Sequence, residues 1–75
     1  MEILSIFAQN VRRHRIQQGM TQEKLADVAG LHVTYINAVE RERRNISLEN
    51  ISRISTALGL DAYQLLLPIN EEEKT

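Results

Sequence analysis

A chain of 75 residues, 43% hydrophobic and 25% charged, has the balance of a folded globular domain and length for a single core. It has no cysteine, which excludes disulfides and thiolate metal sites, and no apolar run near the ~18 residues that span a bilayer. The N-terminus lacks the basic patch, apolar stretch and small-residue cleavage site of a signal peptide, so a cytoplasmic protein is expected. The formal net charge is −1, yet residues 71–74 read Glu-Glu-Glu-Lys, and the first 70 residues carry eight basic against seven acidic groups. Those basic groups cluster: Arg12, Arg13 and Arg15 in one turn, and Arg41, Arg43 and Arg44 in another. On a near-neutral domain such clusters suit a local phosphate footprint, as well as an ordinary solvated surface.

Ile3, Phe7 and Val11 recur at a spacing of four, with Ile6 and Ile16 beside them and no Gly or Pro before Gly19. This predicts a first amphipathic helix over about residues 3–17. Gly19 suits a left-handed residue past its end, and Thr21 offers a hydroxyl cap to the next helix, with Glu23 near its positive pole. Leu25, Ala26 and Ala29 give the second helix a buried stripe before Gly30 stops it. A third helix follows at once, with Ile36, Val39 and Glu40 on one face and Thr34, Asn37, Ala38 and Arg41 on the other. Arg41 to Asn45 has no apolar periodicity and reads as a loop. Ser47 then caps a fourth helix whose positions Leu48, Ile51, Ile54 and Leu58 form one face, ended by Gly59. Asp61 can cap a short fifth helix carrying Tyr63, Leu65, Leu66 and Leu67, closed by Pro68. No stretch alternates apolar and polar residues as a strand would. The expected architecture is all-α, five helices around one core in a domain of residues 1–69, with a frayed acidic tail over 70–75.

Two short helices joined by a tight, glycine-containing turn, here Thr21 to Arg41, make a helix-turn-helix pattern, whose second helix can enter the major groove of DNA. Helical bundles that never touch DNA contain the same corner, so the spacing alone leaves both readings open.

More residues narrow the choice. Val11-Arg12-Arg13-His14-Arg15, Gly19-Met20-Thr21-Gln22-Glu23-Lys24-Leu25-Ala26, Gly30-Leu31, Thr34-Tyr35-Ile36, Val39-Glu40-Arg41 and Arg44-Asn45-Ile46-Ser47 occur in order. Together they resemble the lambda-repressor-like (Xre) regulators and, within them, the controller proteins of restriction-modification systems. The resemblance runs from Phe7 to about Leu67 and implies a five-helix lambda-repressor-like DNA-binding domain. It implies that Gln22 bonds a DNA phosphate, with the free amides of its helix start pointing the same way. Thr34 and Asn37 become the base readers, Asn37 through the bidentate pair that asparagine makes with adenine. Tyr35 and Arg44 look like backbone or base contacts, Arg43 like a phosphate contact, and Arg41 flanks them. Arg15 and Glu40 resemble a buried ion pair between the first and third helices, with a role in orientation.

Two positions depart from the pattern. Val33 stands where an arginine is expected in controller proteins; its isopropyl group cannot donate to guanine but can pack on a thymine methyl, unless it merely covers core. His32 stands where Ser or Asp usually caps the third helix.

Leu65, Leu66 and Leu67 point about 100° apart on a helix and cannot all face one small core. With the resemblance, this assigns them to a dimer interface, and a homodimer reading a palindromic operator in double-stranded DNA follows. The expected function is a sequence-specific transcriptional regulator acting on its own promoter, with no cofactor, metal, membrane or small-molecule substrate. No enzyme is expected, since paired carboxylates, a Ser/His/Asp arrangement and a glycine-rich phosphate loop are all missing, and His14 and His32 lack metal-spaced partners. A phage-type repressor or an antitoxin would carry the same features. A helical protein-binding module that does not use DNA is the reading from another class.

Overall fold

A computed structural model describes residues 2–69. Four α-helices follow in order: α1 Ile3–Gln17, α2 Gln22–Ala29, α3 Val33–Glu40 and α4 Leu48–Ala57. The expected fifth α-helix is instead one turn of 3₁₀ helix, Ala62–Leu65, and no strand occurs among the described residues. The acidic tail of residues 70–75 lies outside the described residues.

Local chemistry sets the helix ends. The Thr21 hydroxyl accepts the Lys24 N–H at 3.0 Å, and the Ser47 hydroxyl accepts the Asn50 N–H at 3.1 Å, so α2 and α4 begin on side-chain caps. His32 offers α3 no such bond. At the other end, α3 closes on Glu42, which takes the left-handed φ of 62° that glycine supplies after the remaining helices. Its amide returns to the Val39 carbonyl at 3.0 Å, and that of Arg43 to the Ala38 carbonyl at 2.8 Å, a Schellman closure made without glycine.

Phe7 and Val11 from α1, Leu25 from α2, Ile36 and Val39 from α3, Ile54 from α4 and Leu65 from the 3₁₀ turn are all but inaccessible to solvent. Packing of α2 on α3 and α4, and of α1 on α3 and the turn, closes the core around them.

Two apolar assignments change. Leu48 is 84% exposed, because as the first residue of α4 it projects back past the core, whose α4 face starts at Ile51. Leu65, expected at a dimer interface, is 0% exposed and belongs to the core of its own chain. The reason lies on α1, where the buried Asn10 donates through Nδ2 to the carbonyls of Leu65 at 3.0 Å and Leu67 at 2.7 Å. Carbonyls taken by a side chain, followed by Pro68, stop the turn from extending as an α-helix. Asp61 starts the turn in a capping box with Gln64, whose side chain receives the Asp61 N–H at 2.8 Å.

Candidate nucleic-acid interface

Gly30, at φ 72°, turns the chain sharply enough for the Leu31 N–H to reach the Ala26 carbonyl at 2.9 Å. α3 therefore starts two residues later and packs against α2 with Ile36 and Val39 inward. Its opposite edge faces solvent: Thr34 is exposed, and Val33 is 39% exposed, so it does not serve as core cover.

Polar contacts fix the angle of α3. Arg15 Nε donates to Glu40 Oε2 at 2.7 Å and Nη2 to Oε1 at 3.0 Å, a fork in which the two side chains are only 11% and 2% exposed. The remaining arm of Arg15 donates to the Met20 carbonyl at 2.8 Å, tying the turn before α2 to the same pair. Gln22, the first residue of α2, donates through Nε2 to Glu40 Oε1 at 3.2 Å, and its Oε1 receives Asn37 Nδ2 at 3.2 Å. Gln22 and Asn37, assigned to phosphate and base, are thus joined to each other and to the ion pair.

The two arginine clusters separate in character. Arg15 is committed to Glu40, and Arg13 is half-buried with Nη2 3.4 Å from the His14 ring, so the first cluster leaves Arg12 as its exposed member. Packing of one helix face inward divides residues that a turn of sequence held together. The second cluster stays on the surface. Arg41, Arg43 and Arg44 are all exposed, and among the described residues no carboxylate pairs with any of them. The Arg44 guanidinium lies over the Tyr35 ring, 5.3 Å from its centroid.

Thr34, Tyr35 and Arg44 share a concavity of about 500 Å³ with His32 and Asn50, floored by Leu31 and Ala38. Asn50 was missed in the sequence reading. Its signal is its position three residues after the Ser47 cap and just beyond the basic loop, but the direction that turn faces is set by how α4 packs. Among the described residues no group of acidic, histidine or cysteine side chains could hold a metal, and no helix is long and apolar enough to cross a membrane.

Two short helices at a glycine corner, with a polar outer edge and an unpaired basic loop, define a DNA-binding helix-turn-helix transcription regulator. The helix-turn-helix family profile matches residues 11–65, and the chain belongs to that family. It is 48% identical over 73 residues to the Neisseria hypothetical transcription factor of Neisseria meningitidis, covering 97% of this chain and 69% of the other. The crystal structure of hypothetical transcription factor NHTF from Neisseria superposes with a TM-score of 0.90, over 97% of this chain and 84% of that one. Control protein C.BamHI of Bacillus amyloliquefaciens is 50% identical over 62 residues, 81% of this chain and 76% of the relative. The restriction-modification controller protein C.AhdI from Aeromonas hydrophila matches at 42% identity and a TM-score of 0.80, over 83% of this chain and 94% of that structure. These relatives are regulators rather than enzymes.

Proposed function

We propose that the chain acts in the cytoplasm as a restriction-modification controller, binding a palindromic operator near its own promoter as a homodimer. The observation that carries this reading is the strip from the exposed Val33 and Thr34 through the half-buried Tyr35 to the exposed Arg44, on a chain whose relatives include control proteins. On this reading α3 lies in the major groove. Thr34 and Asn37 contact base edges, and the exposed Val33 packs on a thymine methyl where an arginine would have sought guanine. Gln22 at the start of α2, with Arg41, Arg43 and Arg44 beyond α3, engages phosphates on either side; Tyr35 supports Arg44.

Pairing is assigned to Leu66 and Leu67 and not to Leu65. Leu67 is 53% exposed and Leu66 borders an apolar groove with Ile3, Phe7, Ile46 and Ile51, surface that a second copy would cover. A twofold pair of recognition helices about 34 Å apart meets successive major grooves.

Selection of bound sites from a random DNA pool, followed by mobility shifts with Thr34→Ala and Arg44→Ala, tests the proposal. A palindrome should emerge, and both variants should bind it more weakly. Undiminished binding by both would remove the reading face from this edge of α3.

A further inference from the structure

We infer that Gln22 is a positioning residue for base readout, orienting the Asn37 carboxamide through a chain of hydrogen bonds that starts at the Arg15–Glu40 pair. The inference rests on the proposed base contact of Asn37 and deepens it.

The direction of every bond in the chain follows from chemistry. A carboxylate held by an arginine fork only accepts hydrogen bonds. Glu40 receives Arg15 at 2.7 and 3.0 Å, so the Gln22 group that meets Glu40 Oε1 at 3.2 Å must be the NH₂. That turns the Gln22 carbonyl toward Asn37, and Asn37 must answer with its own NH₂, at 3.2 Å. Neither amide can flip without setting acceptor against acceptor at one end or donor against donor at the other. One N–H of Asn37 is thereby committed, while its carbonyl oxygen and second N–H remain for a base. Adenine, with an N6 donor beside the N7 acceptor, matches that acceptor-donor pair. A freely rotating carboxamide would accept either polarity and discriminate less. Glu40, its side chain 2% exposed and on the inner side of α3, thus acts on specificity without meeting DNA.

A phosphate contact by Gln22 and an orienting role for it predict different losses. Removing a phosphate contact weakens binding evenly across sequences and lowers the salt slope by about 1, whereas removing an orienting residue flattens one base preference. Gln22→Met keeps length and helix propensity and leaves the ion pair intact. Site selection with Asn37→Ala first identifies the base pair whose preference Asn37 sets. Gln22→Met should relax that same base pair, a preference on the order of tenfold falling at least threefold, while other positions keep theirs. Retained preference at that base pair overturns the inference, whatever happens to overall affinity or salt slope.

A second readout needs no DNA. In the NMR spectrum of the free protein, the Asn37 side-chain amide protons should be well separated and slow to exchange, and should move to solvent-like values in Gln22→Met. An unchanged Asn37 pair also overturns the inference. Absence of salt-sensitive DNA binding by the wild type would instead defeat the proposed function, while the amide spectra would still judge the chain of bonds.

Discussion

Arg44 rests on Tyr35, with its guanidinium carbon 5.3 Å from the ring centroid, so the last arginine of the basic loop is held against the helix that reads DNA. A solvent-exposed cation over an aromatic face contributes about 0.5–1 kcal/mol. Tyr35→Leu should accordingly weaken operator binding roughly two- to fivefold. Arg44→Ala should weaken it more and lower the salt slope by about 1. The double variant should match Arg44→Ala alone, because a ring with no guanidinium to hold contributes little further. Titrations at several salt concentrations give all three values, and strictly additive losses would separate the two residues.

The Arg15–Glu40 fork makes the chain intolerant of losing either member alone. Arg15→Met or Glu40→Leu leaves a buried charge without its partner, at a cost of about 3–5 kcal/mol, a large part of the stability of so small a domain. Both changes together should recover most of that loss, since an apolar pair of similar volume needs no compensation. Urea unfolding of the two single variants and the double variant reads this directly. DNA discrimination in the stable double variant should stay impaired, because the anchor of Gln22 has gone.

Glu42 carries a side chain where the φ of 62° favours glycine. A left-handed non-glycine residue costs about 1–2 kcal/mol, partly offset in a glycine variant by the greater freedom of the unfolded chain. Glu42→Gly should raise stability by about 0.5–1 kcal/mol, a gain of several degrees in Tm for a chain of this size. Glu42→Val, β-branched in the same backbone, should lower it. Thermal unfolding of the pair suffices, and a fall in Tm for the glycine variant would mean that the carboxylate, 3.4 Å from the Ser5 hydroxyl, outweighs the backbone term.

Leu65 and Leu67 should separate folding from pairing. Leu65→Ala empties a fully buried site and should cost about 2–5 kcal/mol at any protein concentration. Leu67→Ser removes half-exposed surface and should leave the fold intact while weakening self-association, seen in sedimentation equilibrium and in a lost concentration dependence of Tm. Weakened association from Leu65→Ala with unchanged unfolding would restore the original interface assignment.

Most of the architecture was legible because its causes are local. Apolar residues every three or four positions announce α1 to α4, and Thr21 and Ser47 cap helices through bonds to the amide three residues on. Gly19, Gly30 and Gly59 follow three of the helix ends. The helix-turn-helix corner needs only these short-range rules, and the outward place of Thr34 follows from the faces they define, whereas the exposure of Val33, open in the sequence between base contact and core cover, was decided by packing. What failed was local evidence pressed too far. Leu48 fits the periodicity of α4 but lies beyond the end of the core, and three consecutive leucines say that some must face out without saying which.

Sequence by itself determined where the four α-helices start and stop and which corner could read DNA, because backbone hydrogen bonds and side-chain caps span three to five residues. Tertiary structure alone decided that Asn10 would seize carbonyls 55 and 57 residues away and that Gln22 would meet Asn37 across a separation of 15, while the Arg15–Glu40 pair, 25 residues apart, was implied by the family resemblance and by no local spacing. Such contacts depend on crossing angles and rotamers set by the whole core, and no short spacing in the chain records them.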